Sequence, residues 1–121
     1  MTYIKKLLIM YLEKIKETAS YLSNLTGSKP FVGIILGTGL GGLVNEIETD
    51  HEVKYEDIPN FPVSTVKGHS GKLIFGKLGG KQVMAMQGRF HFYEGYDMKE
   101  LTFPVRVMRA MGVENLIVSN A

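Results

Sequence analysis

Phe31-Val32-Gly33-Ile34-Ile35-Leu36-Gly37-Thr38-Gly39-Leu40-Gly41-Gly42 decides the fold class of this chain. Phe31 to Leu36 is short, apolar and rich in branched residues, which predicts a strand buried on both faces. Glycines follow at once, and the segment around Leu40 to Glu46 reads as a short helix. A buried strand that passes through a glycine loop into a helix points to an α/β domain. The loop's backbone amides, with the positive end of a helix behind them, suit an anion.

Upstream of that stretch, Ile4, Leu7, Leu8, Tyr11, Ile15, Ala19 and Leu22 recur at helical spacing, while Lys5, Lys6, Glu13, Lys14, Lys16 and Glu17 fall mostly elsewhere on the wheel. This predicts an amphipathic packing helix that ends near Leu25, because Gly27 accepts a left-handed conformation and Pro30 cannot continue a helix. Downstream, His51 to Tyr55 reads as a second strand and Ile58-Pro59-Asn60-Phe61-Pro62 as an irregular loop. Lys72 to Leu78 and Lys81 to Gln87 are strand-like runs joined by Gly79-Gly80, a hairpin signal. Met98 to Met111 reads as a helix that Pro104 either kinks or begins, with Gly112 closing it. Glu114 to Ser119 gives another buried strand. The fold class is α/β, a mixed β-sheet flanked by helices, with residues 1–121 forming one domain.

Composition removes several functions. The net charge of +2 comes from basic and acidic residues scattered together, so the stripe of cations that a nucleic-acid binder needs is missing. The chain has no cysteine, which excludes disulfides and thiolate metal sites and makes a reducing cytoplasm the expected compartment. Leu7 to Leu12 is too short an apolar run for a signal peptide, and no run reaches the ~18 to 20 residues of a spanning helix. We expect neither a nucleic-acid nor a membrane partner.

The chemistry concentrates in Gly88-Arg89-Phe90-His91-Phe92-Tyr93-Glu94-Gly95-Tyr96, where a cation, an imidazole, a phenol and a carboxylate lie between two glycines. If the segment is extended, Arg89, His91 and Tyr93 share one side while Phe90 and Phe92 face the core. Arg89 offers a planar fork for phosphate oxygens, and His91 offers a neutral donor to phosphate or a partner to Glu94. His69, between Gly68 and Gly71, carries the same two readings. Glycines 37, 39 and 42, with Asp57 beyond, also satisfy a dinucleotide fingerprint, although a short helix followed by a proline loop fits that fold poorly. Combined with the glycine loop, the Arg89 segment points to a phosphate site.

Five segments carry a resemblance: Ile35 to Leu43, Ile58 to Pro62, Gly68-His69-Ser70-Gly71, Gln87 to Tyr96 and Val118-Ser119-Asn120-Ala121. In that order they resemble the trimeric purine nucleoside phosphorylases of the inosine and guanosine type. The resemblance implies a phosphorylase/hydrolase-like α/β fold, incomplete at the C-terminus because family members are longer. It implies phosphorolysis of inosine or guanosine to a free purine and ribose 1-phosphate, with inorganic phosphate as co-substrate and no cofactor or metal. Thr38, His69, Arg89 and His91 match phosphate-binding positions, Ala121 one that offers its backbone amide, and Tyr93 a ribose contact. His91 and Glu94 match the catalytic positions, Glu94 ordering the phosphate and sugar contacts. The family's base-binding residues lie beyond Ala121, so the implied partners, a purine nucleoside, phosphate and two further copies in a homotrimer, belong to a longer protein. The alternatives are a non-catalytic phosphate-binding remnant and a relative of the methylthioadenosine phosphorylases, whose glycine loop is similar.

Overall fold

A computed structural model describes residues 2–63, 71–88 and 97–119, with the backbone alone for residues 38–41. Helix α1 runs Tyr3–Thr26, and strand β1, Val32–Leu36, follows. A 3-10 segment, Thr38–Glu46, leads to β2, Glu48–Lys54, and a second 3-10 turn covers Tyr55–Asp57. The hairpin β3, Lys72–Leu78, and β4, Lys81–Gln87, precedes helix α2, Met98–Ala110, and strand β5, Asn115–Val118. The strands form one sheet in the order β2-β3-β4-β1-β5. β1 lies parallel to both β4 and β5, whereas β2–β3 and β3–β4 are antiparallel. The mixed sheet is thus as expected.

Continuous buried runs, whose side chains alternate between the two faces, make the central strands the middle of a sandwich. Leu73 and Phe75 of β3 and Met84 and Met86 of β4 point to the side where α1 and α2 lie, packing with Ile15, Ala19, Leu22, Phe103, Val107 and Met108. Ile74, Val83, Ala85, Ile34 and Leu36 point the other way, onto Ile47 and the half-buried Leu43 and Val44. Phe75, Leu73, Ile74 and Met84 are wholly buried. Each such side chain contributes about 1.5–3 kcal/mol on leaving water. Gly33 of β1 faces the helices, and a Cβ there would stand 2.7 Å from the Met108 sulfur, so the missing side chain lets α2 sit close to the sheet.

Local signals explain the ends. The Thr2 hydroxyl caps α1 by accepting from the Lys5 amide, and Gly27 closes it in the left-handed region at φ 65. Gly79 and Gly80 both take positive φ, the conformation of a tight two-residue hairpin. Asp97 and Glu100 form a reciprocal capping box, so α2 starts at Met98 and carries Pro104 inside it. Pro104 therefore does not mark the start of the helix. No helix among the described residues is long and apolar enough to cross a membrane.

Three expectations change. The helix after the glycine loop is a 3-10 segment, consistent with glycines that favour no α-helical continuation. Only Ile15, Thr18, Ala19 and Leu22 of α1 are buried; Ile4, Leu7 and Leu8 are exposed because the first turns extend past the body they were expected to cover. β5 is exposed along its length rather than buried, since among the described residues it ends the sheet and has β1 as its strand neighbour.

Candidate functional site

The sheet register gathers the segments of interest at one edge. Leu36 at the end of β1 lies beside Gln87 at the end of β4, and Gln87 lies beside Lys72 at the start of β3. Val118 of β5 lies beside Ile35, and the Ser119 amide donates to the Ile35 carbonyl at 3.0 Å, extending that ladder by one residue. The described chain therefore leaves this end of the sheet at Leu36, at Gly88 and at Ser119, and resumes there at Gly71. Such an edge, where parallel strands end, is where α/β sheets bind ligands.

A cleft of about 620 Å³ opens at this edge, with Lys54, Tyr55, Gly71, Lys72, Gln87 and Gly88 among its walls. That size suits a small molecule. Its positive groups are unevenly occupied: Lys72 pairs with Glu52 at 3.0 Å, whereas Lys54 forms no ion pair among the described residues. The side-chain oxygen Oε1 of Gln87 is buried and accepts no hydrogen bond among the described residues. A buried acceptor of this kind favours a donor brought in from outside.

Tyr55 is the most constrained side chain at the edge. It is 3% exposed, and its ring packs on Phe61 at 5.4 Å between centroids. Phe61 in turn meets Phe103 of α2, and Phe103 meets Tyr11 of α1, so an aromatic chain joins the cleft to both helices. The Tyr55 hydroxyl donates to the Gly88 carbonyl and, at 3.4 Å, to that of Gln87. Burial pushes its phenol well above the ordinary tyrosine range. The Tyr55 amide donates to the Gly71 carbonyl at 3.1 Å. A Cβ on Gly71 would stand 2.4 Å from the Tyr55 ring and 2.7 Å from the Gln87 carbonyl, so only glycine fits there.

The Ile58–Pro62 loop is anchored from α1. Thr18, fully buried, donates its hydroxyl to the Pro59 carbonyl at 2.7 Å and accepts from the Asn60 amide nitrogen at 3.2 Å. Asn60 takes φ 64, a left-handed conformation that asparagine tolerates.

Of the residues singled out from the sequence, His69, Arg89, His91, Tyr93, Glu94 and Ala121 lie outside the described residues, as does the side chain of Thr38. The same holds for the expected orientation of Phe90 and Phe92. The structure places their neighbours: Gly37 and the backbone of Thr38 follow β1, Gly88 ends the described part of the β4 segment, and Gly71 stands next to Lys72. The dinucleotide reading fails, because β2, the strand after the glycine segment, lies at the far edge of the sheet and does not pair with β1. Tyr55 and Gly71 were not expected at the cleft. Gly71 stood in a quoted motif, but its close approach to Tyr55 is a tertiary contact with no periodic signal.

A family model described as the phosphorylase superfamily matches residues 31–121. The chain belongs to the phosphorylase superfamily. Among superfamily members, purine nucleoside phosphorylase 1 of Bacillus subtilis is 58% identical over 109 residues, which are 90% of this chain and 40% of that protein. The solved structure of Schistosoma mansoni purine nucleoside phosphorylase in complex with inosine superposes with a TM-score of 0.83 at 47% identity, covering 90% of this chain and 38% of that one. A purine nucleoside phosphorylase in complex with ribose-1-phosphate gives 0.84 at 49% identity, covering 91% and 40%. The chain spans about 40% of the length of the curated superfamily relatives it matches.

Proposed function

We propose that this chain is the phosphate-binding part of a purine nucleoside phosphorylase that converts inosine or guanosine to the free purine and ribose 1-phosphate. The observation that carries the reading is the register at one end of the sheet: Leu36, Gln87 and Val118 end side by side, one or two residues before Gly37, Arg89 and Asn120 in the sequence. The names of the similar proteins support the same chemistry.

In this reading a phosphate oxygen attacks the anomeric carbon of the ribose. The glycosidic C–N bond breaks, its electron pair passes to the purine, and the purine takes up a proton. Thr38, His69, Arg89, His91 and the amide of Ala121 hold the phosphate beneath the sugar, a positioning role that saves orientational entropy. Arg89 supplies paired charge-assisted donors. Tyr93 bonds a ribose hydroxyl, and Glu94 orders the phosphate and sugar contacts with His91. The purine is held by residues of the longer protein, no cofactor or metal takes part, and the complete enzyme is a homotrimer in the cytoplasm. The lack of cysteine supports that compartment.

The test joins residues 1–121 to the remainder of the Bacillus subtilis relative and measures hypoxanthine release from inosine. Release that depends on phosphate is expected, and removal of Arg89 should abolish that release. Equal release with and without phosphate would refute the reading. The 121-residue chain by itself is expected to show little or no turnover.

A further inference from the structure

We propose that Tyr55 is a positioning residue, one side chain that sets both segments flanking the cleft. The inference rests on the phosphate-site reading above, and goes beyond it by assigning a role to a residue outside the phosphate-binding set named there. Three observations carry it. The Tyr55 hydroxyl donates to the carbonyls of Gln87 and Gly88, the last two described residues before Arg89. The Tyr55 amide donates to the Gly71 carbonyl, two residues after His69. The Tyr55 ring occupies the space that a side chain at Gly71 would need.

The physical consequence is a rigid three-way junction. Tyr55 is itself fixed, being buried, leaning on Phe61 and joined through Phe103 to α2. A phenol held this way has few rotamers to explore, so it defines where the backbone stands at Gly88 and at Gly71. A site that must hold an anion in a productive pose depends on such support, because small displacements of its ligating groups are costly. A phenylalanine preserves the ring packing and deletes only the hydroxyl, which makes Tyr55→Phe a clean probe. Gly71→Ala attacks the same junction from the other side, driving a methyl group into the ring.

The experiment compares wild type, Y55F, G71A and R89A by hydrogen-exchange mass spectrometry at micromolar concentration and by calorimetric titration with inorganic phosphate. For Y55F, amide exchange should speed up severalfold in peptides covering residues 64–71 and 88–96, while peptides from α1 and from the β3–β4 turn stay as in wild type. Phosphate affinity should fall about tenfold. G71A should show the same local pattern, and the two substitutions together should do little more than either alone, as expected of residues sharing one contact. A uniform rise in exchange across the core, or no local change with affinity within twofold of wild type, would overturn the proposal. If wild type and R89A both fail to bind phosphate, the phosphate-site reading falls, and the exchange pattern still decides whether Tyr55 holds the two segments.

Discussion

Replacing Thr18 by valine removes one hydroxyl from a fully buried position and changes little else in shape. In the folded chain that hydroxyl donates to the Pro59 carbonyl at 2.7 Å and accepts from Asn60 at 3.2 Å. Asn60 keeps its bond to Glu17 at 3.0 Å, so its amide is not stranded. The Pro59 carbonyl loses its partner beneath an apolar methyl group, and leaving such a group unsatisfied costs about 1–3 kcal/mol. We take about 2 kcal/mol for this partly buried acceptor. A chain of this size loses roughly 3–5 °C of melting temperature per kcal/mol, so T18V should melt roughly 6–10 °C below wild type. Thr18→Ser keeps the hydroxyl and deletes the methyl group, which costs about 1 kcal/mol and roughly half that shift. Thermal melts followed by circular dichroism read both. A serine variant less stable than the valine variant, or a valine variant matching wild type, would refute the reasoning that the hydroxyl holds the loop.

Burial raises the Tyr55 phenol pKa above its ordinary 10.0, so the folded state keeps the proton where the unfolded state releases it. Stability is then fully present below about pH 10 and falls above it by about 1.4 kcal/mol per pH unit from this residue; urea midpoints should fall more steeply for wild type than for Y55F, and parallel curves would contradict this. Gly76→Ala places a Cβ 2.2 Å from the Glu48 carbonyl, a backbone atom that cannot swing aside, and should cost about 1–3 kcal/mol in a urea titration. Gly33→Ala meets the flexible end of Met108 instead and should cost less; the reverse order would count against the close-approach reading. Ile117 is 53% exposed on β5, so Ile117→Lys should leave the melting temperature within about 2 °C of wild type, whereas a larger loss would show that this side chain is packed.

Elements with a local cause were legible. Gly79-Gly80 between two strand-like runs marked the hairpin, and Gly27 and Pro30 marked the end of α1, because turn and cap chemistry is written in adjacent residues. The apolar run at Phe31 gave β1. What escaped depends on neighbours distant in sequence. Leu116, Ile117 and Val118 look like a buried strand by composition, yet burial is decided by what lies across from them, which periodicity does not encode. Ile4, Leu7 and Leu8 fit an amphipathic pattern that defines a face without saying whether anything covers it. At the site, the ionisable residues of the Arg89 segment stand out in the sequence by residue type, and their placement lies outside the described residues. Tyr55 does not stand out, since its role arises from three segments meeting in space.

The strand order also bears on how the edge carrying the cleft comes into being. β2, β3 and β4 follow one another as an antiparallel meander whose contacts close over short stretches of chain, and short closures are fast. β1 enters only when Val32 finds Val83, and β5 only when Asn115 finds Val32. Those long closures are expected to be the slower steps. Leu36 cannot stand beside Gln87 until the first is complete, so a chain arrested at the meander would carry most of its sheet hydrogen bonds and none of the convergence that a ligand needs. If this end of the sheet binds phosphate as proposed, phosphate present during refolding should act late, trapping the closed product rather than guiding the chain toward it.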